Sequence, residues 1–132
     1  MKLITTLLLI FISHLGFSQE WRLIETNDHI KIFSSEFKFK DLKNGMDHQR
    51  LIFKYENITD QPVELSFKRE VNYGDVISVQ ERDYSLTIPA HSILEYDDSK
   101  MYDQTYYLFS KDNQGFIKKS LKEFKIINTT TK

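Results

Sequence analysis

Two runs of alternating apolar and polar residues constrain the fold of this chain more than any other feature of its sequence. Every second residue is apolar from Leu51 to Tyr55, and again from Val63 to Phe67. A period of two is typical of strands that bury one face. The polar segment between the runs ends at Pro62, which withholds a backbone donor where the second strand begins. The pattern predicts a central β-hairpin.

Short strands are also predicted on both sides of this hairpin. They are expected twice between Trp21 and Phe39, and then at Val76–Val79, Tyr84–Ile88, Ile93–Tyr96 and Tyr102–Phe109. Turn signals separate them at intervals of about ten residues, which is typical of sandwiches and barrels. The sequence therefore predicts an all-β fold, an antiparallel β-sandwich of about seven short strands.

Three polar segments are expected to lie outside the strands. Lys40–Gln49 is predicted to be a loop, with a single helical turn as the alternative. One helical turn is expected near Lys118–Lys122, before a closing strand at Phe124–Asn128. The tail Thr129–Lys132 is expected to fray, because unanchored termini usually do.

The first eighteen residues have the pattern of a secretory signal peptide. The apolar run Leu3–Ile12 is shorter than the roughly 20 residues that span a bilayer, and the small residues Gly16 and Ser18 suit a signal peptidase. The prediction is a signal peptide at 1–18, with an uncleaved anchor as the alternative, and a single domain at 19–132. The mature protein is then periplasmic, outer-membrane-associated or secreted, with no membrane span.

The formal charge and the absence of cysteine exclude several kinds of binding partner and reactive site. Loss of Lys2 with the leader reduces the 18 basic residues to 17 against 19 acidic ones, a formal charge of −2. Nucleic acid is therefore not an expected partner, because its binding requires a clearly basic face. The chain has no cysteine, which excludes disulfides, a thiol nucleophile and thiolate metal sites.

The order of turn signals resembles that of immunoglobulin-like β-sandwich domains. Asn57 stands in a polar turn, Pro62 opens the next strand, and Pro89–Ser92 forms a later Pro-small-x-Ser corner. The resemblance covers roughly Ile30–Asn128 and implies an immunoglobulin-like sandwich, without the cysteines and core tryptophan of antibody domains. The leader end, Gly16–Gln19, is similar to those of short exported Bacteroidetes proteins. Neither likeness carries a function.

Catalytic and metal-binding residues are not evident. His29, His48 and His91 remain after the leader is removed, and none has a ligand or base partner at a diagnostic spacing. They are interpreted as surface turn histidines, although a convergence of His29 with His48 in space stays open. Glycine-rich, Gly-x-Ser-x-Gly and His-Glu-x-x-His patterns are absent. No catalytic, cofactor or metal residue is assigned, and a small hydrolase is the least favoured function.

Charged clusters have an ordinary interpretation and a functional one. The densest acidic cluster is Glu95, Asp97, Asp98 and Asp103. It is interpreted as a solvated loop rather than a calcium site, because it lacks the EF-hand spacing. The lysine runs are Lys38, Lys40 and Lys43, and Lys118, Lys119, Lys122 and Lys125. Lysines often protect a sheet edge from pairing with other chains, and an anionic envelope polymer is the alternative partner.

Four tyrosines form the best candidate for a binding surface. They are Tyr96, Tyr102, Tyr106 and Tyr107. Tyr106 and Tyr107 face opposite sides of a strand, so one is expected outside, although packing in the core is the favoured role of the group. The sequence therefore predicts an exported, non-catalytic interaction domain that contacts protein or envelope components. A carbohydrate-binding module that uses exposed tyrosines is the alternative.

Overall fold

The computed structural model describes residues 19–74, 77–117 and 119–132, so the predicted signal peptide and Lys118 lie outside the described residues. Within these ranges, the strands are β1 Arg22–Thr26, β2 Ile30–Asp41, β3 Met46–Asn57, β4 Val63–Asn72, β5 Ile77–Val79, β6 Tyr84–Ile88, β7 Ile93–Glu95, β8 Tyr107–Asp112 and β9 Glu123–Thr131. Two 3-10 turns lie at Leu42–Asn44 and Asp98–Lys100. The same ranges contain no helix with the length and apolarity needed to cross a membrane.

The strands form two antiparallel sheets that pack against each other. In the first sheet β2 pairs with β1 and β3, while β8 and β7 lie end to end along the far side of β3. In the second, β4 pairs with β9 on one side and with β6 and β5, end to end, on the other. The predicted all-β antiparallel sandwich is confirmed. It has nine strands in the described ranges rather than about seven, and β2 and β3 have twelve residues each.

The predicted central hairpin is wrong. Its two alternating runs form β3 and β4, which belong to different sheets and do not pair. Their apolar faces meet across the core instead, where the rings of Tyr55 and Phe67 lie 5.8 Å apart. A period of two indicates only that one face of a strand is buried. Strands that pair within one sheet and strands that face each other from two sheets both show this pattern.

Buried Asn57 holds the segment that crosses between the sheets. Its Nδ2 donates to the carbonyl oxygens of Gln61 at 2.7 Å and Ile88 at 2.9 Å, and its Oδ1 accepts from the backbone N–H of Thr59 at 2.9 Å. Its own backbone N–H donates to the Ser92 carbonyl at 3.0 Å. One side chain therefore joins the end of β3, the crossing segment and the end of β6.

The polar segments differ from expectation because strand pairing extends into them. Lys40 and Asp41 continue β2, so the predicted loop reduces to the 3-10 turn, which confirms the alternative of a helical turn, and Gly45 ends it in the left-handed region at φ 67°. Residues 119–122 form no helical turn. The tail is not frayed, since Thr131 pairs with Leu65 in β4. Local polarity does not reveal such distant partners.

Aromatic rings dominate the space between the sheets. Phe67 stacks on Tyr84 with ring centroids 5.6 Å apart, and Phe53 meets Phe124 at 5.8 Å. Among the fully buried side chains, however, the two largest are those of Arg50 and Arg69. Charged side chains are almost never buried to this extent unless other groups pair with them.

Candidate functional site

Two buried arginines lie on either side of β8. Arg50 comes from β3 and Arg69 from β4, and each side chain belongs to a residue only 2% exposed. Among the described residues, no carboxylate lies within ion-pair distance of either guanidinium. A buried charge without a counter-charge is costly unless other groups satisfy it, so the partners of each arginine decide its role.

Arg69 is satisfied almost completely by neutral acceptors. Its Nη1 donates to the carbonyl oxygens of Tyr107 at 2.9 Å and Gln104 at 3.0 Å. Its Nε donates to Gln80 Oε1 at 3.0 Å, and its Nη2 donates to the Tyr84 hydroxyl at 2.5 Å. Burial lowers the pKa of Arg69, yet a guanidinium stays protonated at physiological pH. Arg69 is therefore chiefly a structural cation.

Side chains from the second sheet close the open edge of β8. Among the strands of the described ranges, this strand pairs with β3 alone, which leaves carbonyl oxygens facing outward from the sheet. Arg69 donates a hydrogen bond to the carbonyl oxygen of Tyr107, and the Tyr73 hydroxyl donates to the carbonyl oxygen of Phe109 at 2.6 Å. The two sheets are thereby joined at this edge by hydrogen bonds as well as by apolar contacts, and the edge is protected from pairing with another chain.

Arg50 is held between two aromatic rings. Its guanidinium carbon lies 3.6 Å from the ring centroid of Phe39 and 3.8 Å from that of Tyr107. Nε donates to His48 Nε2 at 2.9 Å. Nη1 donates to the Met101 carbonyl, and at 3.4 Å to the Tyr96 hydroxyl. Stacking of this kind favours a cation and fixes the plane of the guanidinium.

The Nη2 atom of Arg50 is the one part of this group without a partner in the described residues. It is not sealed from solvent, because no enclosed polar side-chain atom in those residues lacks a hydrogen bond. Arg50 borders an open cleft of about 300 Å³, which we call the arginine cleft. Its polar and aromatic lining includes His48, Arg50, Arg69, Tyr102, Gln104 and Tyr107. This volume is near the lower limit of small-ligand sites.

His48 accepts from Arg50 and is therefore neutral. Its ring lies 5.1 Å from that of Phe39 and 5.2 Å from that of Phe109. Burial, and then the positive charge of Arg50, lower the pKa of His48 below its ordinary value. An acceptor at Nε2 implies a proton on Nδ1. The histidine is thus a neutral support for Arg50 rather than a surface turn residue.

Three of the four predicted tyrosines surround Arg50. Tyr107 stacks on it, Tyr96 accepts from it, and Tyr102 lies exposed at the mouth of the cleft with its hydroxyl donating to Asp41. Tyr106 is buried and packs edge-on against a core tyrosine 5.8 Å away. The expectation that Tyr106 and Tyr107 point to opposite sides agrees with these positions, although Tyr107 is only half-exposed.

The other candidate residues are dispersed. His29 lies at the opposite end of β2 and β3 from His48, beside the Thr131 hydroxyl at 3.3 Å, so the two histidines do not converge. His91 occupies the turn after β6 at φ 53°. In the acidic cluster, Asp97 binds Ser99 and Lys100. Among the described residues, no three histidine, aspartate or glutamate side chains are grouped to hold a metal ion.

The lysine runs lie near free strand edges, as the edge interpretation requires. Lys38 and Lys40 belong to the part of β2 beyond its pairing with β1. Lys125 lies on β9, whose outer side pairs with no strand of the described ranges. Lys43, Lys119 and Lys122 lie in the adjoining turns and are exposed.

Neither arginine belongs to a pattern of residues that predicts a site. A signal for Arg69 existed, because the alternation from Val63 to Phe67 continues through position 69 to Val71 and places a charge on the buried face. Arg50 gave no such signal, since β3 is largely covered on both faces. Comparisons of the chain with protein-family models, with curated proteins and with solved structures found no match.

Proposed function

We propose that this protein is an exported, non-catalytic binding domain whose arginine cleft receives an anionic group, most simply a carboxylate. The observation that carries the proposal is the state of Arg50, a buried cation beside the cleft: among the described residues it has no carboxylate partner, and its Nη2 has no hydrogen-bond partner. Export rests on the leader sequence. The immunoglobulin-like relationship rests on the turn signals of the sequence, and no function is drawn from it.

A carboxylate suits the free part of Arg50 chemically. Charge-assisted hydrogen bonds from a guanidinium to a carboxylate are short and strong, and partial burial reduces screening by water. The ligand would also supply the missing negative charge. Rings on both sides hold the guanidinium in one plane, so little ordering of the protein is required on binding.

The test is an NMR titration of the protein with carboxylates that differ in their carrier. We suggest glucuronate, a short peptide with a free carboxyl terminus, and uncharged glucose. The Arg50 side-chain N–H signals should shift with the carboxylates. Binding should fall at least about tenfold in Arg50→Gln and persist in Arg22→Gln, a matched change of an exposed arginine outside the cleft. Wild-type protein that shows no response to millimolar carboxylate would contradict the proposal.

A carbohydrate-binding module is the second candidate, and the position of Tyr102 favours it. This ring is 52% exposed at the mouth of the cleft, and its hydroxyl is anchored on Asp41. An exposed, oriented aromatic ring can stack on a sugar. On a glycan array, Tyr102→Ala should lose binding and Tyr102→Phe should keep most of it. Neutral sugars that bind Arg50→Gln as well as wild type would favour this candidate over the anion site.

Binding of a protein strand at the edge of β9 receives less support. An added strand requires a continuous row of unpaired backbone groups. The register of β9 against β4 shifts near Asn128, which has φ 52°. Such a bulge bends an edge strand and interrupts pairing. The arginine cleft is therefore the preferred site.

A further inference from the structure

Two neighbouring loops at one end of the sandwich carry exposed apolar side chains. Leu42, in the turn between β2 and β3, is 75% exposed, and Phe116, in the loop between β8 and β9, is 82% exposed. Ile117 beside it is also exposed. Single exposed apolar residues are common, but neighbouring ones at protruding positions mark an interaction surface.

Hydrogen bonds from Asn113 to Asp47, near the start of β3, hold these loops at the same end of the sandwich. We call this surface the loop end and define it as residues 41–45 and 112–117. The backbone N–H of Asn113 donates to the Asp47 carbonyl at 3.1 Å, and its side-chain Nδ2 donates to the Asp47 carboxylate at 3.0 Å. Nearby, the N–H of Lys122 donates to the Asn72 carbonyl at 2.7 Å. The apolar tips therefore share one end of the fold.

Lysines surround the loop end. The exposed ones, none of which forms an ion pair with another described residue, are Lys40, Lys43, Lys111, Lys119 and Lys122. Three aspartates at this end are occupied by local hydrogen bonds: Asp41 with Tyr102, Asp47 with Asn113, and Asp112 with the N–H groups of Gln114 and Ile117. Glu123, next to Lys122 in the chain, is an exposed acid. Apolar loop tips surrounded by lysines are complementary to a surface in which apolar chains lie beneath anionic groups.

We propose that the loop end docks on an anionic lipid bilayer. Leu42, Phe116 and Ile117 enter the headgroup boundary, where apolar side chains leave water, and the lysines contact the anionic headgroups. The alternative of a soluble anionic polymer explains the lysines but leaves the apolar tips exposed to water. This inference uses residues outside the arginine cleft and does not depend on its ligand.

Vesicle flotation tests the proposal on the protein from Gln19 onward. Vesicles of phosphatidylcholine with 30 mol% phosphatidylglycerol should bind the protein, pure phosphatidylcholine should bind it much less, and rising salt should weaken binding. Leu42→Ser with Phe116→Ser should lower the partition coefficient at least about tenfold. Ile93→Ser removes a comparably exposed residue, 51% exposed at the opposite end, and should change nothing.

Reversing the charge of one lysine tests the electrostatic part of the proposal independently. Lys43→Glu should lower the partition coefficient about fivefold or more, because each lysine near an anionic membrane surface contributes favourably to binding and a glutamate is repelled. Lys132→Glu, at the opposite end of the sandwich, is the matched control. The fluorescence of Phe116→Trp should also be quenched by brominated lipid, which locates position 116 in the bilayer.

Three results would overturn the proposal. The first is the absence of flotation with the anionic vesicles at low salt. The second is flotation that the Leu42 and Phe116 changes leave intact, which would assign the surface to polyanions in general; dextran sulfate binding would then equal vesicle binding. The third is quenching of the position-116 tryptophan that does not exceed quenching of Trp21. The serine variants lie on exposed positions, so their folding can be verified by circular dichroism.

Discussion

The Nε atom of Arg50 donates a 2.9 Å hydrogen bond to Nε2 of His48, so a buried cation is supported by a histidine that accepts only when neutral. Burial and Arg50 lower the pKa of His48 below its ordinary 6.5 in the folded protein. The unfolded chain therefore binds this proton first as pH falls. The associated stability is complete above about pH 6.5 and is lost as pH falls toward the lower folded-state pKa.

We expect His48→Gln to remove part of this pH dependence, because an amide oxygen can accept from Arg50 and does not titrate. Urea unfolding at pH 7.5, 6.5 and 5.0 measures it. The free energy of unfolding of wild type, relative to that of His48→Gln, should fall over this range. Parallel curves for the two proteins would show that His48 does not titrate in this way.

Arg69→Met should destabilise the sandwich more than its loss of charge suggests. The change leaves the carbonyl oxygens of Tyr107 and Gln104 without donors at the edge of β8, and the expected cost is about 2 to 4 kcal/mol. Arg82→Met is the control: Arg82 is exposed, so we expect a change within about 0.5 kcal/mol. Similar unfolding midpoints for the two variants would contradict the structural role of Arg69.

Asn57→Ala should weaken the crossing between the sheets. It removes the donor to Gln61 and Ile88 and the acceptor for Thr59 in one step, at an expected cost of about 2 to 4 kcal/mol by urea denaturation. Asn44→Ala removes an exposed amide from the β2–β3 turn and should cost less than about 1 kcal/mol. The prediction fails when both losses are equally small.

Phe67→Ala should leave a cavity in the centre of the core. Phe67 is 1% exposed and packs between Tyr55 and Tyr84, so we expect a loss of about 3 to 5 kcal/mol. Phe116→Ala removes the same ring from an exposed loop and should change stability by less than about 0.5 kcal/mol. Thermal unfolding of both variants measures the difference, and a large loss for Phe116→Ala would mean that its ring is packed in solution.

The all-β fold could be predicted because apolar and polar residues alternate clearly in β4 and β6 and in the second half of β3. Leu65 and Phe67 are buried as predicted, and so are Tyr84 and Ile88. Which strand lies beside which could not be predicted, because a period of two contains no information about pairing partners. The error at the central hairpin and the unexpected pairing of Thr131 with Leu65 have this common cause.

The candidate site could be predicted only in part. The tyrosines were singled out for their aromatic character, and Tyr96, Tyr102 and Tyr107 do lie around Arg50. The arginine itself was missed, because its partner Met101 is remote in sequence and contributes a backbone carbonyl that no residue pattern reveals. Sites built from backbone oxygens and ring faces are the hardest to recognise from residue types.

The position of β9 against β4 has a consequence for the order of folding. The first sheet can assemble from residues 22–112, but β4 remains without its longest partner until residues 123–131 are available. Contacts between segments so far apart in sequence form slowly. Until residues 123–131 are in place, one edge of β4 lacks its partner and the second sheet stays incomplete. Closure of the sandwich is therefore expected to be one of the last steps of folding.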